Sequence, residues 1–156
     1  LVITSLPLGH AFGRIGCFLN GCCFGSRYDG GAAVSYPPHS FAWDAHCREG
    51  WVGEFSRSLP VHPVQLYEAA ANLALYALLF WFYRRRKRDG QVTALYLTVY
   101  PVVRFFLEFL RGDERVRWGS LSVAQEVSVG LFAAGCVVWV FTLGRKAGTA
   151  TRAGTP

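Results

Sequence analysis

Three long apolar runs most strongly limit the folds available to this chain. The runs cover residues 64–83, 92–110 and 121–143, and each approaches or exceeds the roughly 20 residues that cross about 30 Å of hydrocarbon as a helix. Apolar residues make up 52% of the 156-residue chain and are concentrated in these runs instead of recurring at amphipathic spacing. The sequence therefore predicts an all-α polytopic integral membrane protein.

A fourth apolar segment, 1–25, is a weaker candidate for a membrane span, because glycines and His10 interrupt it. It contains Arg14, and a guanidinium in hydrocarbon costs several kcal/mol, roughly 3 on insertion scales. We expect such an arginine to pair with an anion or to line a polar cavity, and lipid phosphate is the abundant anion at that depth. Since the chain begins with Leu1, we interpret 1–25 as a partial span of a longer protein, with any signal peptide upstream.

Basic residues predict the orientation of the spans. Basic clusters follow the first and last long runs, at 84–88 and 145–152, so the positive-inside rule places both ends in the cytoplasm. Residues 26–63 then form a small outer lobe, irregular or partly β with little helix, and 144–156 form a cytoplasmic tail. These clusters account for much of the net charge of +6, so we expect no nucleic-acid partner.

The second long run carries Tyr100, Arg104 and Glu108 at i, i+4 and i+8, which places them on one helix face. Arg104 lies about 18 Å along the helix from the start of the run, toward the outer leaflet, the side also expected for Arg14. A self-contained Arg104–Glu108 ion pair is the alternative, but it leaves Arg14 unexplained. We predict that the two arginines converge on one cavity, with guanidiniums about 10 Å or less apart.

A polar group is also expected where the outer lobe meets the first long run. His62 lies between two prolines that stiffen the backbone, and Gln65, Tyr67 and Glu68 follow at the start of the expected helix. A single histidine is more often a hydrogen-bonded surface residue than a catalyst. Its convergence with three polar side chains at the outer membrane face makes a functional interpretation equally reasonable.

Three motifs thus occur in order along the chain. They are Gly13-Arg14-Ile15-Gly16-x-Phe18-x-Asn20-Gly21 followed by Gly25, then His62-Pro63-x-Gln65-Leu66-Tyr67-Glu68, then Arg104-Phe105-x-x-Glu108-x-x-Arg111. This order resembles the signature of the bacterial prolipoprotein diacylglyceryl transferases, over about 8–143 and roughly the C-terminal half of such an enzyme. The resemblance implies a multi-pass inner-membrane enzyme of lipoprotein biosynthesis, with its active site toward the outer side. It moves a diacylglyceryl group from phosphatidylglycerol to the lipobox cysteine of a prolipoprotein and releases glycerol 1-phosphate.

The resemblance also implies roles for individual residues. Guanidinium groups bind phosphate in a two-pronged geometry, so Arg14 and Arg104 are expected to bind the phosphatidylglycerol headgroup, with Asn20 and with Gly25, which permits close backbone approach. No cofactor or metal is expected, and the partners are phosphatidylglycerol, the prolipoprotein lipobox segment and membrane lipids. The expected catalytic residues are Arg104, Glu108, which orients it, Tyr100 and His62. The expected supporting residues are Gln65, Tyr67, Arg111 and Glu68, which with His62 shapes the outer entrance.

The chain departs from the family pattern in two ways. Cys17 and Cys22 stand where the family often has asparagine and glutamate. The family's upstream segment, with an essential tyrosine and a histidine proposed as the catalytic base, has no counterpart here, so we expect this sequence alone to be incomplete as an enzyme.

The five cysteines allow a further interpretation. Cys17, Cys22, Cys23 and Cys47 are expected toward the outer side, where disulfides can form, and Cys136 is expected to be a small buried residue of the last span. A zinc site is conceivable, but the C-x4-C-C spacing lacks paired C-x2-C units. We favour small residues at tight helix contacts, with one disulfide to Cys47. The zinc alternative would combine Cys17, Cys22 and Cys23 with His39 or His46.

The sequence is therefore consistent with three classes of function. A lipid-to-thiol transferase is favoured by the ordered motifs. A transporter or lipid-binding membrane protein could use the same arginines to hold an anion without chemistry, and substrate turnover separates these two classes. A metal or redox membrane module could use the cysteines, and metal analysis of the purified protein tests that class.

Overall fold

The computed structural model describes residues 2–113, 117–118 and 121–144, and most of these residues are helical. Two two-residue strands pair in antiparallel fashion just before the last helix. The elements are α1 (Val2–Asn20), α2 (Phe41–Arg48), α3 (Val64–Arg85), α4 (Gln91–Leu107) with a 3-10 turn (Glu108–Leu110), β1 (Arg117–Trp118), β2 (Leu121–Ser122) and α5 (Val123–Gly144).

Four helices of the described chain, α1, α3, α4 with its 3-10 turn, and α5, are long and apolar enough to cross a membrane. This confirms the predicted all-α multi-pass membrane fold. The first segment, the weaker candidate by sequence, is long and apolar enough to span in the structure, and α1 runs unbroken from Val2 to Asn20 with Pro7 inside it. In apolar surroundings no water competes for the backbone hydrogen bonds, so a helix tolerates residues that would weaken it in solution.

The long helices pack in chain order, α1 against α3, α3 against α4, and α4 against α5. Leu75 and Leu79 of α3 form an apolar cluster with Val92 and Tyr96 of α4. On the outward faces, large apolar side chains are exposed, as expected for surfaces that contact lipid. They include Phe80, Trp81, Phe106, Val140 and Phe141.

The predicted cytoplasmic ends of α3 and α5 lie together. Arg88 Nη1 donates a hydrogen bond to the Thr142 carbonyl at 3.1 Å and another to the Leu143 carbonyl. Gly90 caps α4 beside them with φ of 90°, and a Cβ there would lie 2.7 Å from Thr142 Cγ2. The first basic cluster therefore adjoins the C-terminal end of α5, whereas the second cluster and all of the predicted tail, 144–156, except Gly144 lie outside the described residues.

The lobe that connects α1 to α3 lies at the C-terminal end of α1 and the N-terminal end of α3. This is the end of α3 opposite to the contact of Arg88 with Thr142. The lobe contains the short helix α2, which the sequence interpretation did not include and which begins where Ser40 Oγ accepts a hydrogen bond from the Trp43 amide at 3.3 Å. Ser40 is a favourable N-cap residue, and this was the sequence signal for α2. The remaining lobe is irregular, with isolated bridges from Val61 to Arg27 and Val34. Its core contains Phe24, Tyr36, Ala42 and Val61.

Candidate functional site

The Glu68 carboxylate lies between two arginines from different helices. Its Oε1 is 3.1 Å from Arg14 Nε of α1 and 3.8 Å from Arg104 Nε of α4. The two Nε atoms are therefore no more than about 7 Å apart, the sum of these distances, which agrees with the predicted separation. Three helices thus each contribute one charged side chain to a single cluster.

Arg104 also forms the predicted ion pair within its own helix. Its Nη1 donates a hydrogen bond to Glu108 Oε2 at 2.6 Å, and Glu108 is buried. The alternative of a self-contained Arg104–Glu108 pair is wrong, because Arg104 contacts Glu68 as well. Two arginines and two carboxylates balance in charge, which is how buried ions are tolerated inside a membrane protein.

Solvent reaches the two arginines to different extents. The Arg14 side chain is 23% exposed, whereas those of Arg104 and Glu68 are 11% and 4% exposed. Arg14 contacts Glu68 through its Nε, and the same guanidinium carries two Nη groups that together form a fork of donors. Arg14 is therefore the guanidinium that an entering anion would meet first, and a fork of two N–H donors matches two phosphate oxygens.

A small cavity with a few polar side chains in its lining adjoins the cluster. It has a volume of about 10 Å³, is lined by Glu68, Asn72, Tyr100 and Arg104 among others, and has room for about one water molecule. Within the described chain, Glu68 Oε2 and Asn72 Oδ1 are buried without a hydrogen-bond partner. Since buried acceptors are normally paired, these two oxygens mark a place where a donor would be stabilised.

Tyr100 lies at the wall of this cavity. Its ring centroid is 5.4 Å from that of His10 in α1 and 5.3 Å from that of Tyr96 in α4. The structure therefore brings Tyr100 together with Arg14, Glu68 and Arg104 at the meeting of α1, α3 and α4, as the shared-face argument predicted for the α4 residues.

Gly25 joins the three sequence motifs. Its amide donates a hydrogen bond to the His62 carbonyl at 3.0 Å, and it forms an isolated antiparallel bridge with Arg111. A Cβ at this position would lie 2.5 Å from both Cβ and the carbonyl oxygen of His62. Glycine is therefore required for close approach of the protein's own backbone. The neighbouring Ser26 amide extends the junction by donating to the Leu110 carbonyl at 2.8 Å.

His62 lies in an aromatic stack beside this junction. Its ring is stacked on Tyr28 with centroids 3.8 Å apart and meets the edge of Tyr67 at 6.2 Å. Its Nδ1 is buried without a hydrogen-bond partner in the described part of the chain. The family resemblance predicts that His62 and Glu68 together shape the outer entrance, whereas the structure places the Glu68 carboxylate between the arginines.

Two other predicted residues brace the site. Gln65 is 1% exposed, and its Nε2 donates to the Cys22 carbonyl at 2.8 Å and to Tyr36 Oη at 3.0 Å, which ties α3 to the lobe. Arg111 forms a two-pronged contact with Asp113 at 3.0 and 2.9 Å. Asn20, the last residue of α1, is exposed.

Three thiols form a group beside these residues. The Sγ atoms of Cys17, Cys22 and Cys23 all lie within 4.8 Å of one another. Burial, followed by contact with the other two thiols, raises the pKa of Cys22 to about 11. Burial alone would raise the pKa of Cys23, but the hydrogen bond and charge of Arg111 and the charge of Arg14 outweigh it and lower that pKa.

The structure differs from the remaining predictions about the cysteines. All five cysteines are free thiols, so the favoured disulfide to Cys47 is absent, and Cys47 Sγ instead donates to the Val52 carbonyl at 3.6 Å. Cys136 is exposed, because it lies on an outward face of α5, and the prediction that it is buried was wrong. His46 Nδ1 accepts a hydrogen bond from the Leu59 amide at 3.2 Å and is not part of the thiol group.

Two members of the site were missed from the sequence. Asn72 follows Glu68 by one helical turn, and its Nδ2 donates to the Glu68 carbonyl at 2.8 Å. His10 contacts Tyr100 from α1. Both are polar residues within apolar runs, and the i, i+4 spacing of Glu68 and Asn72 was a usable signal.

Fold and site together define a multi-pass helical membrane protein with an arginine–carboxylate cluster where three helices meet. A family model described as prolipoprotein diacylglyceryl transferase matches residues 1–141, and the chain belongs to this family. Phosphatidylglycerol--prolipoprotein diacylglyceryl transferase 2 of Clostridium perfringens is 32% identical over 139 residues, 89% of this chain. The transferases of Clostridium tetani and Bordetella avium are each 34% identical and each aligned with 93% of this chain. The alignments cover 49%, 52% and 50% of these relatives, so the chain spans about half the length of the curated relatives it matches.

Proposed function

We propose that this chain carries the phosphatidylglycerol site of a transferase that moves a diacylglyceryl group to the lipobox cysteine of a prolipoprotein. The observation that carries the proposal is the contact of Arg14 and Arg104 with one buried Glu68 carboxylate. Paired guanidiniums at membrane depth are suited to a lipid phosphate. The names of the relatives supply the donor and acceptor.

The proposed reaction exchanges a carbon–oxygen bond for a carbon–sulfur bond. The lipobox sulfur attacks the glyceryl carbon that carries the phosphate ester, and a thioether forms. The bond from that carbon to the ester oxygen breaks, and its electron pair leaves with glycerol 1-phosphate. The thiol proton ends on the released glycerol 1-phosphate or in solvent, which balances the exchange. Negative charge therefore grows on the leaving phosphate, and donors fixed in advance around it lower the barrier.

The geometry supports distinct contributions from the two arginines. Arg14, the more exposed, would bind the phosphate through its Nη groups, while Arg104 would stabilise the leaving oxygen from deeper in the bundle. Glu108 orients Arg104 through the 2.6 Å contact, and Tyr100 lines the same cavity. Glu68 would act as a positioning residue that holds both guanidiniums at one place.

We also propose that the protein lies in the bacterial inner membrane with this site toward the outer side. The contact of Arg88 with Thr142 brings the C-terminal ends of α3 and α5 together, and the basic residues that follow each helix in the sequence make that end cytoplasmic by the positive-inside rule. The lobe and the C-terminal end of α1 then lie outside, where a secreted prolipoprotein would present its lipobox.

The test uses membranes that contain the intact gene product carrying this sequence. We expect transfer of labelled diacylglyceryl from phosphatidylglycerol to a lipobox peptide, with no transfer to a peptide whose cysteine is replaced by serine. Phosphatidylethanolamine is the matched donor control, since it presents a different headgroup on the same acyl chains. Binding of phosphatidylglycerol without transfer would contradict the proposal and favour an anion-binding membrane protein.

A further inference from the structure

The turn after α1 gathers three thiols that the proposed function does not use. Cys17 lies in the last turn of α1, and Cys22 and Cys23 follow its end. The Cys22 amide donates to the Cys17 carbonyl at 3.1 Å, and the chain turns back through positive φ at Gly21 (69°) and Cys23 (59°). Non-glycine residues seldom adopt such φ values. The conformation of Cys23 therefore has an energetic cost, and it keeps the three thiols close together.

The thiol separations are close to those of a metal site. All three Sγ atoms lie within 4.8 Å of one another. In a tetrahedral zinc site with Zn–S bonds of about 2.3 Å, neighbouring sulfurs are about 3.8 Å apart. Each pair would therefore need to approach by at most about 1 Å, which rotation of a cysteine side chain about χ1 can supply.

The electrostatic surroundings also suit bound thiolates. Three thiolates and one Zn²⁺ carry a net charge of −1, and burial of that charge requires nearby cations. Arg111, which also pairs with Asp113, interacts directly with the Cys23 thiol, and the charge of Arg14 also acts on it; together the two arginines outweigh the opposing charge of Asp113. The Arg111 side chain is only 2% exposed, so its charge is weakly screened at this position.

We propose that Cys17, Cys22 and Cys23 form a binding site for a thiophilic divalent cation, Zn²⁺ in particular, next to the arginine–carboxylate cluster. Binding replaces three thiol protons, which are released to solvent, by one Zn²⁺. The three protein ligands leave a fourth position for water or an exogenous ligand, the pattern of zinc sites that exchange ligands. The site is independent of the transferase proposal.

The test is a Co²⁺ titration of the intact gene product, purified in mild detergent, reduced, and stripped of metal with a chelator. Co²⁺ reports its own ligands, since thiolate coordination gives a charge-transfer band in the near ultraviolet and tetrahedral sites give intense visible bands. We expect both signals to saturate at about one Co²⁺ per chain and to disappear when Zn²⁺ is added.

Matched serine variants assign the ligands. We expect Cys22→Ser and Cys23→Ser each to weaken Zn²⁺ binding by at least about 100-fold, since loss of even an outer-shell partner costs about 10–100-fold. Cys136→Ser, on the outward face of α5, should bind as the unmodified chain does. Equal affinity of Cys23→Ser and Cys136→Ser would overturn the proposal.

Two further outcomes would overturn it without reliance on any variant. One is the absence of a thiolate-to-cobalt band in the reduced, folded protein. The other is a disulfide between two of the three thiols in protein isolated without reductant, with no metal bound. Because these readouts measure metal and sulfur directly, failure of diacylglyceryl transfer would leave the metal result intact, and the reverse also holds.

Discussion

Arg14 of α1 and Glu68 of α3 form an ion pair, with Nε and Oε1 3.1 Å apart, although 53 positions separate them in the sequence. The same Glu68 oxygen lies 3.8 Å from Arg104 Nε of α4. One carboxylate thereby fixes the relative positions of three membrane helices and of two cations. Stability and the proposed phosphate site depend on the same contact.

Replacement of Glu68 by glutamine should destabilise the protein strongly. Removal of one partner from a buried ion pair leaves uncompensated charge and typically costs about 3–5 kcal/mol, and here two arginines lose the partner. Thermal unfolding in detergent measures the change. The control is Asp44→Asn, whose carboxylate forms an exposed pair with Arg48 at 3.5 Å and should cost less than about 1 kcal/mol. Equal shifts in the two variants would contradict a buried bridging role for Glu68.

Arg14→Lys should impair diacylglyceryl transfer far more than conservation of charge suggests. Lysine keeps the positive charge but cannot make a two-pronged contact with phosphate. Loss of one fixed donor to developing charge typically costs about 10²–10³ in rate. Transfer from phosphatidylglycerol to a lipobox peptide measures the effect, with expression in the membrane checked alongside.

The control for that experiment is Arg48→Lys. The Arg48 side chain is 68% exposed in the lobe, and surface substitutions usually change stability by no more than about 0.5 kcal/mol. Near-normal transfer by Arg14→Lys would remove Arg14 from the proposed site and leave it as a structural partner of Glu68.

Gly25→Ala should disrupt the junction of the three motifs. The added methyl would lie 2.5 Å from the His62 carbonyl oxygen and 2.6 Å from Val64 Cγ2, and the backbone there cannot move without breaking the junction. Overpacking commonly costs about 1–3 kcal/mol, so we expect a lower unfolding temperature and loss of transfer. Gly31→Ala is the control, because a Cβ there meets no atom within 4 Å. Equal stability of both variants would show that the junction is adaptable.

Labelling should place the lobe outside the cytoplasm. We expect a membrane-impermeant maleimide added to whole spheroplasts to modify Cys47, which lies at the end of α2 in the lobe. Cys136, within α5, should remain unmodified by the same reagent because it faces lipid. Modification of Cys47 only in inverted vesicles would reverse the proposed orientation.

Alkylation should separate the three clustered thiols by pH. The thiolate is the reactive form, so a lower pKa shifts reaction to lower pH. In reduced, metal-free protein we expect Cys23 to be alkylated below the pH required by Cys22, whose pKa is about 11. Peptide mass spectrometry across a pH series measures both. Cys47, whose pKa is raised by burial and then by Asp44, is an internal reference, and reaction of Cys22 before Cys23 would contradict the assignment of Arg111 as the stabilising cation.

The length of the apolar runs predicted the membrane fold, and helical spacing predicted which side chains pair within one helix. The three long runs predicted α3, α4 and α5 because crossing hydrocarbon requires a fixed number of apolar residues. The Arg104–Glu108 pair followed from helical spacing, since residues four apart share a face. These features depend only on residues that are close together in the chain, so the sequence alone determines them.

Only the tertiary structure decided which distant groups meet. The position of Glu68 between Arg14 and Arg104, the approach of Gly25 to His62, and the outward face of Cys136 depend on how whole helices rotate and pack. A hydrophobic pattern that is apolar on nearly every face does not specify that rotation. Burial of charge decides it instead, because each arginine placed in the bundle must find a carboxylate there.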